Sequence, residues 1–265
     1  MADPNVSMVT LHGASIPVKR AGAGPAMVML HGGGGAPRFL PAMQMLARRF
    51  EVIVPQAPGF GGTEAPDWLE TIADLANFYL EFLDLFDLRD VHLVGLSLGG
   101  WTAAELAVRN SNRLASLTLM DAPGIRVPGG EPRDPALASE EQIIRDTYFD
   151  PKLADDALAR AFKPGNEAIR QANRRLVAKL AWQQRNHDPQ MQRWLHRIRT
   201  PTLILWGEND RIVPLAYGET WQKAIPGARL VVLPRCGHLP IQEKPEEFAA
   251  CVAEFCAETR PTAGA

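Results

Sequence analysis

Val91-His92-Leu93-Val94-Gly95-Leu96-Ser97-Leu98-Gly99-Gly100-Trp101 is the stretch on which the fold turns. Its first residues form a short apolar run of the kind that makes a buried strand. From Trp101 to Val108 the sequence is rich in alanine and leucine and reads as a helix. Between them, Gly95-Leu96-Ser97-Leu98-Gly99 leaves room only for a sharp turn. The glycines remove Cβ atoms where strand and helix close on each other, which leaves the Ser97 hydroxyl exposed at the tip. A Gly-x-Ser-x-Gly sequence alone arises often by chance. The strand before it and the helix after it give this one its weight.

Working outward, short aliphatic runs alternate with segments of helical period. The clearest strands are Ala26 to Leu30, Glu51 to Val54, Val91 to Val94, Leu114 to Met120, Thr202 to Trp206 and Arg229 to Leu233. From Thr71 to Phe86, Ile72, Leu75, Phe78, Phe82 and Phe86 recur at spacings of three and four, one buried helix face. The alternation implies an α/β class with a doubly wound, mostly parallel sheet. It breaks from about Ile125 to Arg199, which opens on a Pro/Gly-rich run and carries helical patterns without a convincing strand, the best helix being Asn166 to Trp182. Residues 1–124 and 200–265 are expected to form the core domain, and residues 125–199 a helical cap over the end of the sheet.

Composition narrows the function. A chain of 265 residues supports one large core. A formal net charge of −2 supplies no basic field for nucleic acid. Cys236, Cys251 and Cys256 are too sparse for a disulfide framework and read as small buried hydrophobes in a reducing compartment. The first ten residues lack the pattern of a signal peptide, and no apolar stretch approaches the ~20 residues that span a bilayer. The expectation is a cytoplasmic protein, monomer or homodimer, with a small-molecule substrate and neither nucleic-acid nor membrane partners.

The first clear strand runs into His31-Gly32-Gly33-Gly34-Gly35, where bare backbone can present N–H groups to a developing oxyanion. The run lacks the Gly-Lys-Ser/Thr ending of a phosphate-binding loop and the spacing of a dinucleotide fingerprint. His31 is expected to tie the loop by a hydrogen bond and His92 to be packed in its strand, while His12, His187 and His196 are expected to be exposed. No histidine, cysteine and carboxylate cluster has metal spacing, so no metal and no cofactor is expected.

The chain resembles the α/β-hydrolase family along essentially its whole length. The motifs fall in family order: His31-Gly32-Gly33-Gly34, Pro58-Gly59-Phe60-Gly61, the Ser97 turn, an acid after a late strand, and a final histidine. The resemblance implies a catalytic triad of Ser97 as nucleophile, His238 as base and Asp210, in Gly207-Glu208-Asn209-Asp210, as the acid. It implies an oxyanion hole made by the backbone N–H groups of Gly33 and Leu98. Asp121 also follows a strand and is read as a loop-capping or backup carboxylate. Gln56 stands where relatives usually have aspartate, a change in loop anchoring. Serine at the turn argues against the dehalogenases and epoxide hydrolases of this fold, which use aspartate there.

The implied activity is hydrolysis of an uncharged carboxylic ester or related acyl bond by a serine esterase. The alternatives are carbon–carbon bond hydrolysis of ring-fission vinylogous diketones and a non-turnover receptor. Carbon–carbon hydrolases resemble the chain at the glycine loop but usually carry a tryptophan after the histidine, where Leu239 stands, and a cap arginine for the substrate carboxylate. Arg160, Arg170, Arg174 and Arg175 are candidates, read as surface charge. Phe149, Phe162, Leu176, Trp182 and Trp194 suggest an apolar pocket under the cap.

Overall fold

A computed structural model describes residues 4–36, 38–128, 138–182 and 186–259 of the chain. It begins with a hairpin that the sequence pattern did not announce. β1 (Asn5–Leu11) and β2 (Ala14–Ala21) pair antiparallel across His12-Gly13, where both residues have positive φ, 48° and 76°. That turn matches the right-handed twist of the strands it joins. β1 lies at the sheet edge with most residues exposed, so no buried run marks it in the sequence.

The other strands are those the aliphatic runs predict: β3 (Ala26–Leu30), β4 (Glu51–Pro55), β5 (Val91–Leu96), β6 (Leu114–Met120), β7 (Thr202–Gly207) and β8 (Arg229–Leu233). Their order across the sheet is β1-β2-β4-β3-β5-β6-β7-β8. β2 is antiparallel to β4, and every pair beyond is parallel. The chain winds outward from β3 to β4, then returns to β5 on the far side of β3 and winds the other way. Such a reversal opens a crevice at the carboxyl ends of the two central strands. Here those ends run into His31 and Ser97.

Side chains alternate between the two faces of the sheet. Val28, Leu30, Ile53, Leu93, Leu117, Leu119, Ile204 and Trp206 pack with α2 (Ile72–Leu85), α3 (Leu98–Arg109) and α8 (Leu215–Ala224). Met27, Met29, Val52, Val54, Val94, Met120, Leu203 and Leu205 pack with α1 (Pro41–Leu46), α9 (Pro240–Glu243) and α10 (Pro245–Glu258). α2 starts where the sequence places it because Thr71 and Asp74 form a reciprocal cap: Asp74 N–H donates to Thr71 Oγ1 and Thr71 N–H to Asp74 Oδ2.

Between β6 and β7 lie α4 (Glu140–Thr147), α5 (Pro151–Ala161), α6 (Glu167–Trp182) and α7 (Pro189–Trp194), with no strand among the described residues. The two ends of this segment are stitched together, Gly124 N–H donating to Asn186 O (3.0 Å) and Asp188 N–H to Gly124 O (2.9 Å). His187, expected at the surface, is half-buried in this bridge. No described helix is long and apolar enough to cross a membrane.

Candidate active site

Ser97 joins β5 to α3 with φ 51° and ψ −119°, a backbone conformation that L-residues rarely adopt. Its N–H donates to Met120 O (2.8 Å), and its own carbonyl accepts from Gly100 and Trp101, so the turn is tied on both sides. The flanking glycines are required by space. A Cβ on Gly95 would lie 2.7 Å from Gly100 Cα, and one on Gly99 would lie 2.6 Å from His31 O. Leu98 is the first residue of α3, where the N–H has no acceptor within the helix.

Two loops deliver the partners. After β7, Asp210 is buried with Oδ1 accepting from the N–H groups of Ile212 (2.7 Å) and Val213 (2.9 Å). After β8, His238 stands with Nδ1 2.7 Å from Asp210 Oδ2 and Nε2 2.9 Å from Ser97 Oγ. The loops brace each other through Asn209 N–H to Cys236 O (2.8 Å). The segment between β6 and β7 also holds the histidine, since His238 N–H donates to Thr147 O (2.8 Å) at the end of α4. Glu243 joins the same parts: Oε1 accepts from Gly237 N–H and Oε2 from Phe149 N–H, both at 2.8 Å. Burial raises the Glu243 carboxyl, and those backbone donors pull it back down. No sequence motif marked Glu243. Its only sign was an acidic residue closing the short turn after His238.

The glycine loop is locked from below and from above. His31 is buried, which depresses its pKa to about 4 and keeps the ring neutral. Its Nε2 accepts from Ala57 N–H (2.8 Å), so Nδ1 carries the proton and donates to Gly32 O (2.7 Å). Gln56 extends the anchor, with Oε1 accepting from Ala36 N–H (3.1 Å). Above the loop, Asn173 of α6 donates from Nδ2 to Gly34 O and accepts Gly61 N–H on Oδ1, both at 3.0 Å. Asn173 was invisible in the sequence, a polar residue on an amphipathic helix whose partners are more than a hundred residues away.

A cavity of about 400 Å³ opens beside Ser97. Met29, Val54, Val94 and Met120 from four adjacent strands line it, with Leu40, Met43, Leu96 and Ile241. Gly32, Gly33, His31 and His238 edge it, and α4 adds Ile143 and Thr147. The expectation that Phe149, Phe162, Leu176 and Trp194 form the pocket is corrected. None lines the cavity: Phe149, Phe162 and Trp194 are exposed, and Leu176 is buried in the core. Trp182's side chain lies outside the described structure. The arginines do not reach the cavity either. Arg170 pairs with Glu140 and donates to Ala161 O, Arg174 donates to Ala138 O, and Arg160 and Arg175 are exposed.

Of the remaining candidates, His92 is buried and 2.8 Å from Ser116 Oγ, while His12 and His196 are exposed. Cys236 and Cys256 are buried and Cys251 is half-buried. Asp121 accepts Gly207 N–H on Oδ1 (2.9 Å) and so caps that loop. Donor atoms of Asp121, Asp210 and His238 lie within 4.8 Å of one another. Both ring nitrogens of His238 are already engaged, Nδ1 by Asp210 and Nε2 by Ser97. Such an arrangement can take a proton from a hydroxyl and return it to a leaving group.

Comparison with known proteins identifies the family. A sequence profile described as "Alpha/beta hydrolase family" matches residues 27–251. The chain is 30% identical over 259 residues to a 2-hydroxymuconate semialdehyde hydrolase of a Pseudomonas species, covering 90% of this chain and 89% of that one. It is 29% identical over 254 residues to a 2-hydroxy-6-oxononadienedioate/2-hydroxy-6-oxononatrienedioate hydrolase of Cupriavidus pinatubonensis, covering 88% of each. Among solved structures, a meta-cleavage product hydrolase from Pseudomonas fluorescens superposes with a TM-score of 0.80 at 23% identity, covering 96% of this chain and 98% of that one.

Proposed function

The chain belongs to the alpha/beta hydrolase family, and from that premise we propose that it is a serine hydrolase that releases an apolar acyl group through an acyl-enzyme. The observation that carries the reading is the unbroken relay from Asp210 through His238 to Ser97, opening onto an apolar cavity. His238 Nε2 takes the Ser97 proton as Oγ adds to the substrate carbonyl carbon, and Asp210 stabilises the imidazolium. The N–H groups of Gly33 and Leu98 receive the oxyanion, each such donor contributing about 3 kcal/mol to the transition state. His238 then returns the proton to the leaving group. Water, activated by the same histidine, adds to the acyl-enzyme and frees Ser97 and a carboxylic acid.

An ester is the bond this cavity favours. Its described lining includes no lysine or arginine. An anionic substrate group placed there would be desolvated without a partner, which is costly. A second reading, carbon–carbon cleavage of a ring-fission ketone, has the same attack and oxyanion but a carbon leaving group. The named relatives favour this second reading over the ester. Side-by-side kcat/KM on a 4-nitrophenyl ester series and on a ring-fission dienoate separates the two. The ester reading expects an ester to lead, and dienoate turnover tenfold above every ester would overturn it.

A further inference from the structure

Asp121 lies at the end of β6 with φ 48°, a conformation that a residue other than glycine adopts at some strain, and it is fully buried. Oδ1 is satisfied by Gly207 N–H. Oδ2 is buried and meets no donor. The neighbouring group is the Asp210 carboxyl, an oxygen of which lies within 4.8 Å of one of Asp121, and which is itself engaged by Ile212 N–H, Val213 N–H and the His238 ring. Two ionised carboxylates side by side in a buried site repel, and an unsatisfied buried acceptor is costly. One proton on Asp121 removes both penalties.

We propose that Asp121 is a positioning residue of the triad, held as the neutral acid and donating its proton to the Asp210 carboxylate. The other ionisable groups around it are Glu243, Cys236 and His238. Burial first, and the Asp210 charge second, raise the Asp121 carboxyl well above the carboxylate range. Burial likewise raises the Cys236 thiol, so it adds no charge at neutral pH. The donated bond fixes the plane of the Asp210 carboxylate and spreads its charge. His238 is thereby held in a fixed orientation toward Ser97.

The inference rests on reading Ser97, His238 and Asp210 as a triad, and the test uses a readout independent of the physiological substrate. It is the rate of Ser97 phosphonylation by a fluorophosphonate, followed against pH in the parent and in Asp121→Asn and Asp121→Leu. Asparagine keeps a neutral donor toward Asp210 and an acceptor for Gly207, so D121N is expected within about threefold of the parent, with its acid limb unmoved. Leucine removes the donor, so D121L is expected about tenfold slower or more, the fold-change of one hydrogen bond to a charged group, with its acid limb shifted upward. The carboxylic C=O infrared band at neutral pH is expected to lose intensity in D121N. An acid limb displaced downward in D121N would show that Asp121 carries a charge, and an infrared band unchanged in D121N would say the same; either overturns the proposal. Parent behaviour in folded D121L would show that Asp121 has no part in the relay and overturns it too. A parent that is not phosphonylated at Ser97 overturns the triad and this inference together, whereas a labelled parent with any of the three contrary results above overturns this inference alone.

Discussion

At the carboxyl ends of β3 and β5 the backbone is tied by bonds between segments far apart in sequence, whereas the segment between β6 and β7 touches the site at a few points. On the sheet side, His31, Gln56 and Ser97 are each held by backbone donors or acceptors from another segment, and Asp210 by two N–H groups of its own loop. On the other side, Asn173 pins two glycine loops, Thr147 holds the His238 backbone, and Ile143 and Thr147 reach the cavity. α4, α5 and α6 otherwise turn polar, exposed faces outward. The Ser97–His238–Asp210 hydrogen bonds and most of the cavity lining therefore lie at the carboxyl ends of the sheet strands. The helical segment contributes hydrogen bonds to the loops and two residues, Ile143 and Thr147, to the cavity lining.

The largest effect should come from Ser97→Ala. Turnover should fall on the order of 10⁶-fold, as when a serine nucleophile is removed from a comparable relay. The hydroxyl sits at the tip of a turn and packs against no core, so the thermal midpoint should stay at the parent value. Retained turnover in a contamination-free preparation would break the comparison at its root.

Asn173→Ala tests how much alignment the helical side supplies. It strands Gly61 N–H and Gly34 O, each at a penalty of about 1–3 kcal/mol where water cannot replace the partner. kcat/KM should fall about tenfold, the equivalent of one such bond, with the glycine loops loosened. A lowered thermal midpoint with parent kcat/KM would make the contact purely structural.

Selectivity sharpens the contrast further. Met43→Ala enlarges the cavity from the α1 side and should move the preferred acyl chain to greater length, with about 2 kcal/mol of lost stability. Phe162→Ala and Trp194→Ala alter exposed side chains and should leave the acyl profile unchanged, with stability within about 0.5 kcal/mol. If Trp194→Ala shifted the profile more than Met43→Ala, selectivity would reside in the helical segment after all.

The smallest effect concerns the join between the two regions. Glu105 of α3 is buried beside Arg109 and Asp188, and burial lifts its carboxyl from 4.5 to about 7 against the pull of Arg109. The native state therefore keeps a proton that the unfolded chain loses. Its contribution is fully present below about pH 4.5, declines as pH rises to about 7, and is level beyond. Glu105→Gln should flatten that part of the decline in a series of thermal midpoints across this window. An identical slope in parent and variant would mean that Glu105 is ionised in the fold.

Much of this was legible in the sequence. Six strands, the α2 face and the Ser97 turn could be read because each rests on local periodicity or on glycines that a sharp turn demands. Ser97, Asp210 and His238 could be singled out because the resemblance to the α/β-hydrolase family implies a serine, an acid and a histidine after successive strands, and the fold brings those strand ends together. The β1–β2 hairpin escaped because β1 is mostly exposed at the sheet edge and because Pro17 interrupts β2, although Ala14, Ile16 and Val18 alternate into the core. Asn173 and Glu243 escaped because their roles lie in bonds to backbone groups of distant loops, which leave no pattern around the residue itself.

The sequence by itself determined the α/β class and six of the strands, since these follow from local periodicity, while the choice of Ser97, Asp210 and His238 rested on the resemblance to the α/β-hydrolase family, whose motifs fall in this chain order. Only the tertiary structure decided what surrounds them. Met29, Val54, Val94 and Met120 read as interchangeable strand residues, and the aromatic residues of the 125–199 segment looked the better pocket. Which apolar side chain borders a cavity and which faces water depends on the packing of one layer against another, and that is set by contacts between residues with no relation in sequence.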